Sequence, residues 1–330
     1  MKQSNILVTG GAGYIGSMLI PHLIKKHHKV TVVDSLLFKG FYPMENYTRI
    51  NYKFIKADIR DECFIESIIR EEEFSTIIHL AAFVGEPLCN SFPELAREIN
   101  FNATKSLVDL SEEYNMGKFI FASTCSNYGI STEELASEES VLKSLSLYSE
   151  TKIQSENYIL GKANGKFHPT ILRFATVFGI STRMRFDLLI NELIRDAFVK
   201  KEIILYNPRA WRPFVHISDV VRAIEMTVSA QPELTEKQIF NVGGEGSNIR
   251  KGGVANIIKE FLPNTNIGLF EGKDIDPRNY GVSFKKIKDN LHYCTETTIR
   301  EGIKEIIDAL NSSRFDNLYD DIYKSTLKRS

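Results

Sequence analysis

The chain has 330 residues, a net charge of −1, and 43% hydrophobic and 25% charged residues. This composition suits a soluble globular protein with one large and one smaller domain, and it excludes a largely disordered chain. No field of one sign exists to gather nucleic acid or an anionic membrane, so neither is expected as a partner, and any anionic ligand must be held by local basic groups.

The first strand, Asn5-Ile6-Leu7-Val8-Thr9, starts almost at once, so no signal peptide is expected. It runs directly into Gly10-Gly11-Ala12-Gly13-Tyr14-Ile15-Gly16, in which Gly10, Gly13 and Gly16 have the spacing G-x-x-G-x-x-G. Glycine suits a turn with positive φ and a close approach of backbone to pyrophosphate, and the following helix presents free N–H groups to phosphate. Helical spacing runs from Tyr14 to Lys26. The second strand, Val30-Thr31-Val32-Val33, ends at Asp34. A carboxylate roughly 20 residues past such a loop accepts hydrogen bonds from a ribose diol and repels a 2′-phosphate, which points to NAD rather than NADP. The structural alternative is a tight turn with Asp34 capping a loop.

After the third strand, Phe54-Ile55, come Asp58-Ile59, placed to reach an adenine; alone, Asp58 reads as a helix cap. The fourth strand, Thr76 to Leu80, carries His79, which alone reads as a satisfied core histidine. With Ala81 and Ala82, Leu80 lets backbone pass close to a cofactor. Pro93 to Tyr114 reads as one helix. The fifth strand, Phe119-Ile120-Phe121, leads to Ser123-Thr124, where a hydroxyl can bind a substrate oxygen. Tyr148-Ser149-Glu150-Thr151-Lys152 then places a tyrosine and a lysine on one helix face. A phenol near pKa ~10 must fall by ~3 units, about 4 kcal/mol, to serve as a base at neutral pH. An ammonium ~4 Å away supplies about 4 kcal/mol only where it is shielded from water. Tyr148 is expected to take a hydroxyl proton as hydride leaves the same carbon. Strand and helix alternate throughout this half, which reads as a doubly wound α/β sheet.

After the strand Thr170-Ile171-Leu172 the rhythm changes. Met184 to Val199 reads as a helix, Ile203 to Tyr206 as a strand, and Phe214-Val215-His216 as a strand leading to a helix near Ser218. The expected division is a dinucleotide-binding domain over 1–174 with a return segment at 213–243, and a smaller α/β substrate-binding domain over 175–212 and 244–330. His216 and Asp219 read as a structural strand–helix junction. The tail beyond about 311 reads as either loose or strapped onto a partner. The four cysteines, Cys63, Cys89, Cys125 and Cys294, have no metal-ligand spacing, so reduced thiols in the cytoplasm and no metal are expected.

Taken together, Thr9–Gly16, Asp34, Asp58-Ile59, His79–Ala82, Ser123-Thr124, Tyr128-Gly129, Tyr148–Lys152, Leu172-Arg173, Arg212–Asp219, Asn241–Gly243 and Arg278 make the chain resemble the extended short-chain dehydrogenase/reductases of the nucleotide-sugar epimerase/dehydratase group. The resemblance spans about residues 5 to 310. It implies a Rossmann-like fold, a tightly held NAD, and a homodimer built from helices near 93–115 and 148–162. It also implies a nucleotide-diphosphate sugar as partner, its diphosphate gripped by Arg212 and Arg278, with Arg183 and Arg185 as further candidates. A guanidinium forks two hydrogen bonds onto phosphate oxygens. Glu86, Cys125 and Thr176 are the other candidates for substrate contact.

In the group's 4,6-dehydratases an acid–base carboxylate follows the strand-end threonine; here Cys125 and Ser126 follow Thr124, which argues against dehydration. A 4-epimerase, a 4-dehydrogenase or a 4-ketoreductase remains. Thr176 stands where ordinary UDP-galactose 4-epimerases often carry Asn. The run Arg183-Met184-Arg185-Phe186-Asp187 and the loop Val84 to Cys89 look similar to a subgroup that includes GDP-heptose 4-dehydrogenases of capsule synthesis.

Overall fold

The structure, a computed structural model, describes residues 3–38, 50–131, 134–270 and 276–327. In chain order the strands are β1 (Asn5–Thr9), β2 (Lys29–Asp34), β3 (Tyr52–Lys56), β4 (Thr76–His79), β5 (Lys118–Thr124), β6 (His168–Phe174), β7 (Thr176–Phe178), β8 (Glu202–Leu205), β9 (Trp211–His216), β10 (Gln238–Val242), β11 (Asn248–Arg250) and β12 (Asn266–Leu269). Seven of them form one parallel sheet in the order β10-β6-β5-β4-β1-β2-β3. The chain builds outward from β1 to β3, then jumps back to place β4 on the other side of β1. That reversal opens a crevice beyond the carboxyl ends of β1 and β4.

Successive side chains on a strand face opposite ways, and both faces of this sheet are covered. Ile6 and Val8 pack with Leu19, Leu23 and Ile24 of the helix Gly16–Lys25. Leu7 packs on the other face with Ile77, Phe119 and Phe121, together with Leu107 and Val108 of the helix Ala103–Glu113. Each such buried side chain contributes roughly 1.5–3 kcal/mol. This is the Rossmann-like, doubly wound parallel sheet that the alternation of elements predicts.

A third core joins the helices Leu189–Lys200, Lys251–Phe261 and Ile299–Asn311 through Ile190, Ile194, Val254, Ile258, Ile303 and Ile306. The last of these helices starts on a capping box, with Thr298 and Glu301 each satisfying the other's backbone N–H. Within the segment 213–243, β10 joins the large sheet, whereas β9 pairs with β7 and β11 in a separate three-stranded sheet. His216 binds Glu305, and Asp219 accepts the N–H groups of Glu296 and Thr297, so both tie helices together.

Two elements differ from the sequence pattern. The helix expected over Pro93 to Tyr114 is interrupted by a wide π-type turn at Glu98–Asn102. Its Asn100 accepts from the Phe83 N–H at 2.7 Å and donates to the Phe83 carbonyl at 3.0 Å, which fixes the loop after β4. A hydrophobic period does not reveal such a turn, because it keeps the same face buried. The helix expected from Met184 starts only at Leu189. Arg185 and Asp187 pair with each other there, and Asn191 donates to the Arg185 carbonyl, holding the preceding segment out of the helix.

Candidate active site

A cavity of about 780 Å³ lies at the carboxyl ends of the strands. Every residue expected at the site from sequence lines it, with one exception, Cys125. The glycine loop forms one end. Gly10 has φ +72°, and a Cβ there would lie 2.5 Å from the Ala81 nitrogen. Gly16 packs as closely on Gly11. These two glycines are demanded by chain packing, whereas a Cβ on Gly13 would meet only the Gly10 carbonyl at 3.1 Å. The helix Gly16–Lys25 has no side-chain cap; the Ser17 and Leu19 N–H groups are taken by the Gly13 and Ile15 carbonyls, and Gly13 to Gly16 line the cavity at its start, where a helix N-terminus favours an anion.

Asp34 accepts from the Ala12 N–H at 3.0 Å and the Leu36 N–H at 2.8 Å. Burial raises its pKa, and these two bonds pull the other way. The carboxylate is thus aimed, and its remaining lone pairs suit a ribose diol. Asp58 and Ile59 line the same end, but Asp58 is bound by Arg60 at 2.6 Å and caps no helix; Asp61 is the cap. His79 is the satisfied core histidine of the sequence reading: its ring bridges Thr9 at 2.6 Å and Thr104 at 2.8 Å, and burial lowers its pKa to about 3. Tyr14 lines the cavity with its hydroxyl turned away, bonded to the Gly179 carbonyl at 2.7 Å and to Asn191.

At the centre, Thr124 bonds the Ser126 hydroxyl at 2.7 Å, and Ser123 donates to the buried carboxylate of Glu156. Tyr148 and Lys152 sit on the helix Leu147–Gly161, capped by Ser146. Both are buried and both face the cavity. No hydrogen bond joins the two among the described residues. The Lys152 ammonium donates to the Ala122 carbonyl at 2.8 Å and lies over the Phe121 ring. Burial pulls its pKa down to about 8, with Glu156 opposing. Burial lifts the Tyr148 phenol above its ordinary range, and the Arg185 and Arg278 charges oppose this. The protein alone therefore holds Tyr148 as a neutral phenol at physiological pH.

Cys125 is a correction. It is buried on the far side of the strand end, with its thiol donating to the Arg173 carbonyl at 3.2 Å and burial pushing its pKa up. The turn that starts there, Cys125–Tyr128, rotates Ser126 to the cavity and Cys125 to the core. The expectation of substrate contact at Cys125 is withdrawn.

The far end is charged. Arg212 donates to Asp276 at 2.7 Å, and Arg278 grips both Asp276 oxygens at 2.8 and 3.0 Å. Lys251 stands 3.6 Å from the same carboxylate, and Glu86 lies 3.3 Å from Arg278. Although burial alone would raise it, the Asp276 carboxyl is held well below the usual range by its two arginines. Thr176 lines the wall nearby, and Arg185 is paired in two bonds with Asp187. Sequence reasoning missed Asp276, Asp187, Lys251 and Tyr280. The first two had a local cue, an acid two residues from an arginine, and Asp276 also accepts the Arg278 N–H in a turn. The other two meet the site only through long-range folding.

Up to residue 327 the tail is packed against its own chain and is not loose. Phe186 donates to the Tyr323 carbonyl at 2.9 Å, and Ser325 donates to Asp187 at 3.2 Å. Phe186, Phe315 and Tyr323 stack edge to face. Ser325, Thr326 and Leu327 then form part of the cavity wall.

Residues 6–243 match the model of the NAD dependent epimerase/dehydratase family. The chain belongs to that family. Its cofactor is NAD, which the tight glycine loop, the helix start that lines the cavity and the aimed Asp34 carboxylate fit. The chain is similar to a curated relative from Bacillus subtilis described as an uncharacterised UDP-glucose epimerase, YtcB. The two are 30% identical over 324 residues, covering 93% of this chain and 98% of that one. It is also similar to CapI of Staphylococcus aureus, 26% identical over 92% of this chain and 97% of the relative. Among solved structures, MoeE5 in complex with UDP-glucuronic acid and NAD superposes with a TM-score of 0.82. It is 28% identical, with 94% of this chain and 99% of that chain covered. The epimerase-group resemblance read from the motifs is thereby confirmed.

Proposed function

We propose that this family member oxidises and reduces C4 of a nucleotide-diphosphate sugar, as a 4-epimerase or 4-dehydrogenase. The observation that carries this is the continuity of one cavity from the glycine loop, past Thr124, Tyr148 and Lys152, to Arg212 and Arg278. Named relatives point the same way: MoeE5 was solved with UDP-glucuronic acid, and the similar YtcB is described as a UDP-glucose epimerase. UDP-sugars are therefore the first substrates to try.

Bound NAD supplies a hydride acceptor and, when oxidised, a positive ring. Asp34 holds the adenosine ribose. Arg212 and Arg278 hold the sugar diphosphate, shared with or released from Asp276. Thr124 and Ser126 orient the C4 hydroxyl toward Tyr148. In the loaded site Tyr148 first gives up its proton to solvent, and its phenolate oxygen then takes the hydroxyl proton while the electron pair of the C4–H bond leaves as hydride. The same phenol returns that proton when hydride comes back to the opposite face. Since Lys152 is anchored on Ala122 and does not touch the phenol, it acts by adding to the positive potential of the loaded site. Dehydration is disfavoured, because Cys125 lies in the core and Ser126 is too weak an acid or base. A ketoreductase using the same residues in one direction is the second reading. We expect a homodimer through the helical faces near 93–115 and 148–162.

The test is incubation with a panel of UDP-, GDP-, TDP- and CDP-sugars, following NADH absorbance and C4 configuration together. Accumulating NADH identifies a dehydrogenase, and inversion without it an epimerase. No change with any member of the panel would contradict the proposal.

A further inference from the structure

Four arginines line the cavity, and they divide by partner. Arg185, Arg212 and Arg278 each hold a carboxylate within 4 Å, supplied by Asp187 or Asp276. Arg183 has no carboxylate that close among the described residues, although it is only 3% exposed. Its guanidinium donates only to the Lys324 carbonyl at 2.8 Å and the Ser325 hydroxyl at 3.3 Å. A guanidinium has five N–H donors, and a buried cation without a counter-charge is costly. Among the described residues no carboxylate balances it at close range, so an anion that enters the cavity meets an uncountered guanidinium.

Position says which ligand. The Arg183 N–H is bonded to the Ser17 hydroxyl, in the first turn of the helix that follows the glycine loop. Ser17 is tied in turn to Ser181, and Ser181 to the Tyr14 carbonyl. The Arg183 guanidinium lies 5.8 Å from the ring of Phe38, just beyond Asp34, and its charge acts on Arg185, Asp187 and Asp34. The arginines whose charge acts on Tyr148 are Arg185 and Arg278 instead. Arg183 therefore stands on the adenosine side of the cavity, beside the helix start where a dinucleotide pyrophosphate docks.

We propose that Arg183 binds the pyrophosphate of NAD and not the nucleotide sugar, and that the C-terminal segment 321–327 orients it through the Lys324 carbonyl and the Ser325 hydroxyl. This replaces the expectation that Arg183 grips the sugar diphosphate. It also gives the tail a role: the tail closes the cofactor end of the cavity and supplies the acceptors that aim the arginine. The inference depends on NAD being the cofactor and is independent of which sugar is used.

The test is calorimetric titration of the full-length protein, stripped of retained cofactor, with NAD, ADP-ribose and UDP separately. Charge-assisted bonds of this kind set the expected scale. Arg183→Gln should weaken NAD and ADP-ribose alike, roughly 10- to 100-fold, and leave UDP within about twofold of wild type. Arg183→Lys, which keeps the charge and the fold, should fall between. Deleting residues 321–330 should weaken NAD in the wild type and much less in Arg183→Gln. Unchanged NAD affinity in both point variants, or a loss that falls on UDP instead, would overturn the assignment to the cofactor. Equal losses on tail deletion in both backgrounds would overturn the orienting role. Because no sugar is present in any NAD arm, these outcomes are separate from success or failure of the C4 reaction.

Discussion

Around the glycine loop the cavity wall is mostly backbone, with one aimed carboxylate, Asp34, and the Arg183 guanidinium, whereas at the far end Arg212, Arg278 and Lys251 crowd around Asp276. The first region is shaped by contacts between neighbouring strand ends, and it is ready for a ligand as it stands. The second is assembled from loops far apart in the chain, and its cations are already occupied. The cofactor end is thus a fixed mould, and the substrate end is a set of charges that must be shared out again when a diphosphate arrives.

The mould breaks at Gly10. Its backbone has positive φ and no space toward Ala81, so Gly10→Ala should cost about 3 kcal/mol or more and abolish NAD retention. Thermal unfolding and the absorbance of released NAD check both effects. Unimpaired retention would show that the loop is softer than its packing implies.

Lys152 tests what the readiness of the centre costs. Its pKa is about 8 in the folded chain against 10.5 in the unfolded one. The unfolded state binds more protons between these values, so this group makes stability rise with pH across that window, and below about 8 its full cost is present. Lys152→Met should raise stability by about 2 kcal/mol at pH 7 and remove that rise, while destroying turnover. Denaturant titration at several pH values is the check, and a destabilised variant would show that the ammonium is held by more than Ala122.

The substrate end sharpens the comparison from the other side. Asp276→Asn removes the negative charge that competes for Arg212 and Arg278, so UDP should bind about 1 kcal/mol more tightly. Weaker binding would mean that Asp276 positions the arginines rather than occupying them. Its carboxyl lies well below the usual range, so UDP affinity should not respond to this group between pH 5 and 9. The smallest effect is expected at Cys125. Cys125→Ala should leave the turnover rate within about twofold, at a cost in stability of about 1 kcal/mol.

The same contrast explains what was legible in the sequence. The cofactor end lies close to contiguous motifs, since Gly10, Gly16 and Asp34 are constrained by β1, β2 and the loop after β4. Such constraints leave residue types that can be read directly. The parallel, doubly wound character of the large sheet follows from short buried runs alternating with helices, whereas its strand order is set by the fold. The substrate end depends on Arg212 with Asp276, and the tail's closure of the cofactor end depends on Arg183 with Ser325, contacts that join segments 64 and 142 residues apart. Nothing local marks Ser325 or Lys251 for the cavity. Cys125 was misread because a strand-end turn, not strand alternation, decides which way it faces. Tyr148 and Lys152 were placed correctly on one wall, but spacing along a helix does not say that the ammonium turns to Ala122.

The central claim is that Tyr148 is the proton acceptor and becomes basic only in the oxidised, NAD-loaded site. The direct measurement is rapid mixing of NAD-loaded protein with a nucleotide sugar that the wild type turns over, following the first appearance of NADH. Tyr148→Phe should slow that step roughly a hundredfold to ten-thousandfold while retaining NAD at the wild-type level. NADH forming at the wild-type rate in the variant would contradict the account, and another group would have to carry the proton.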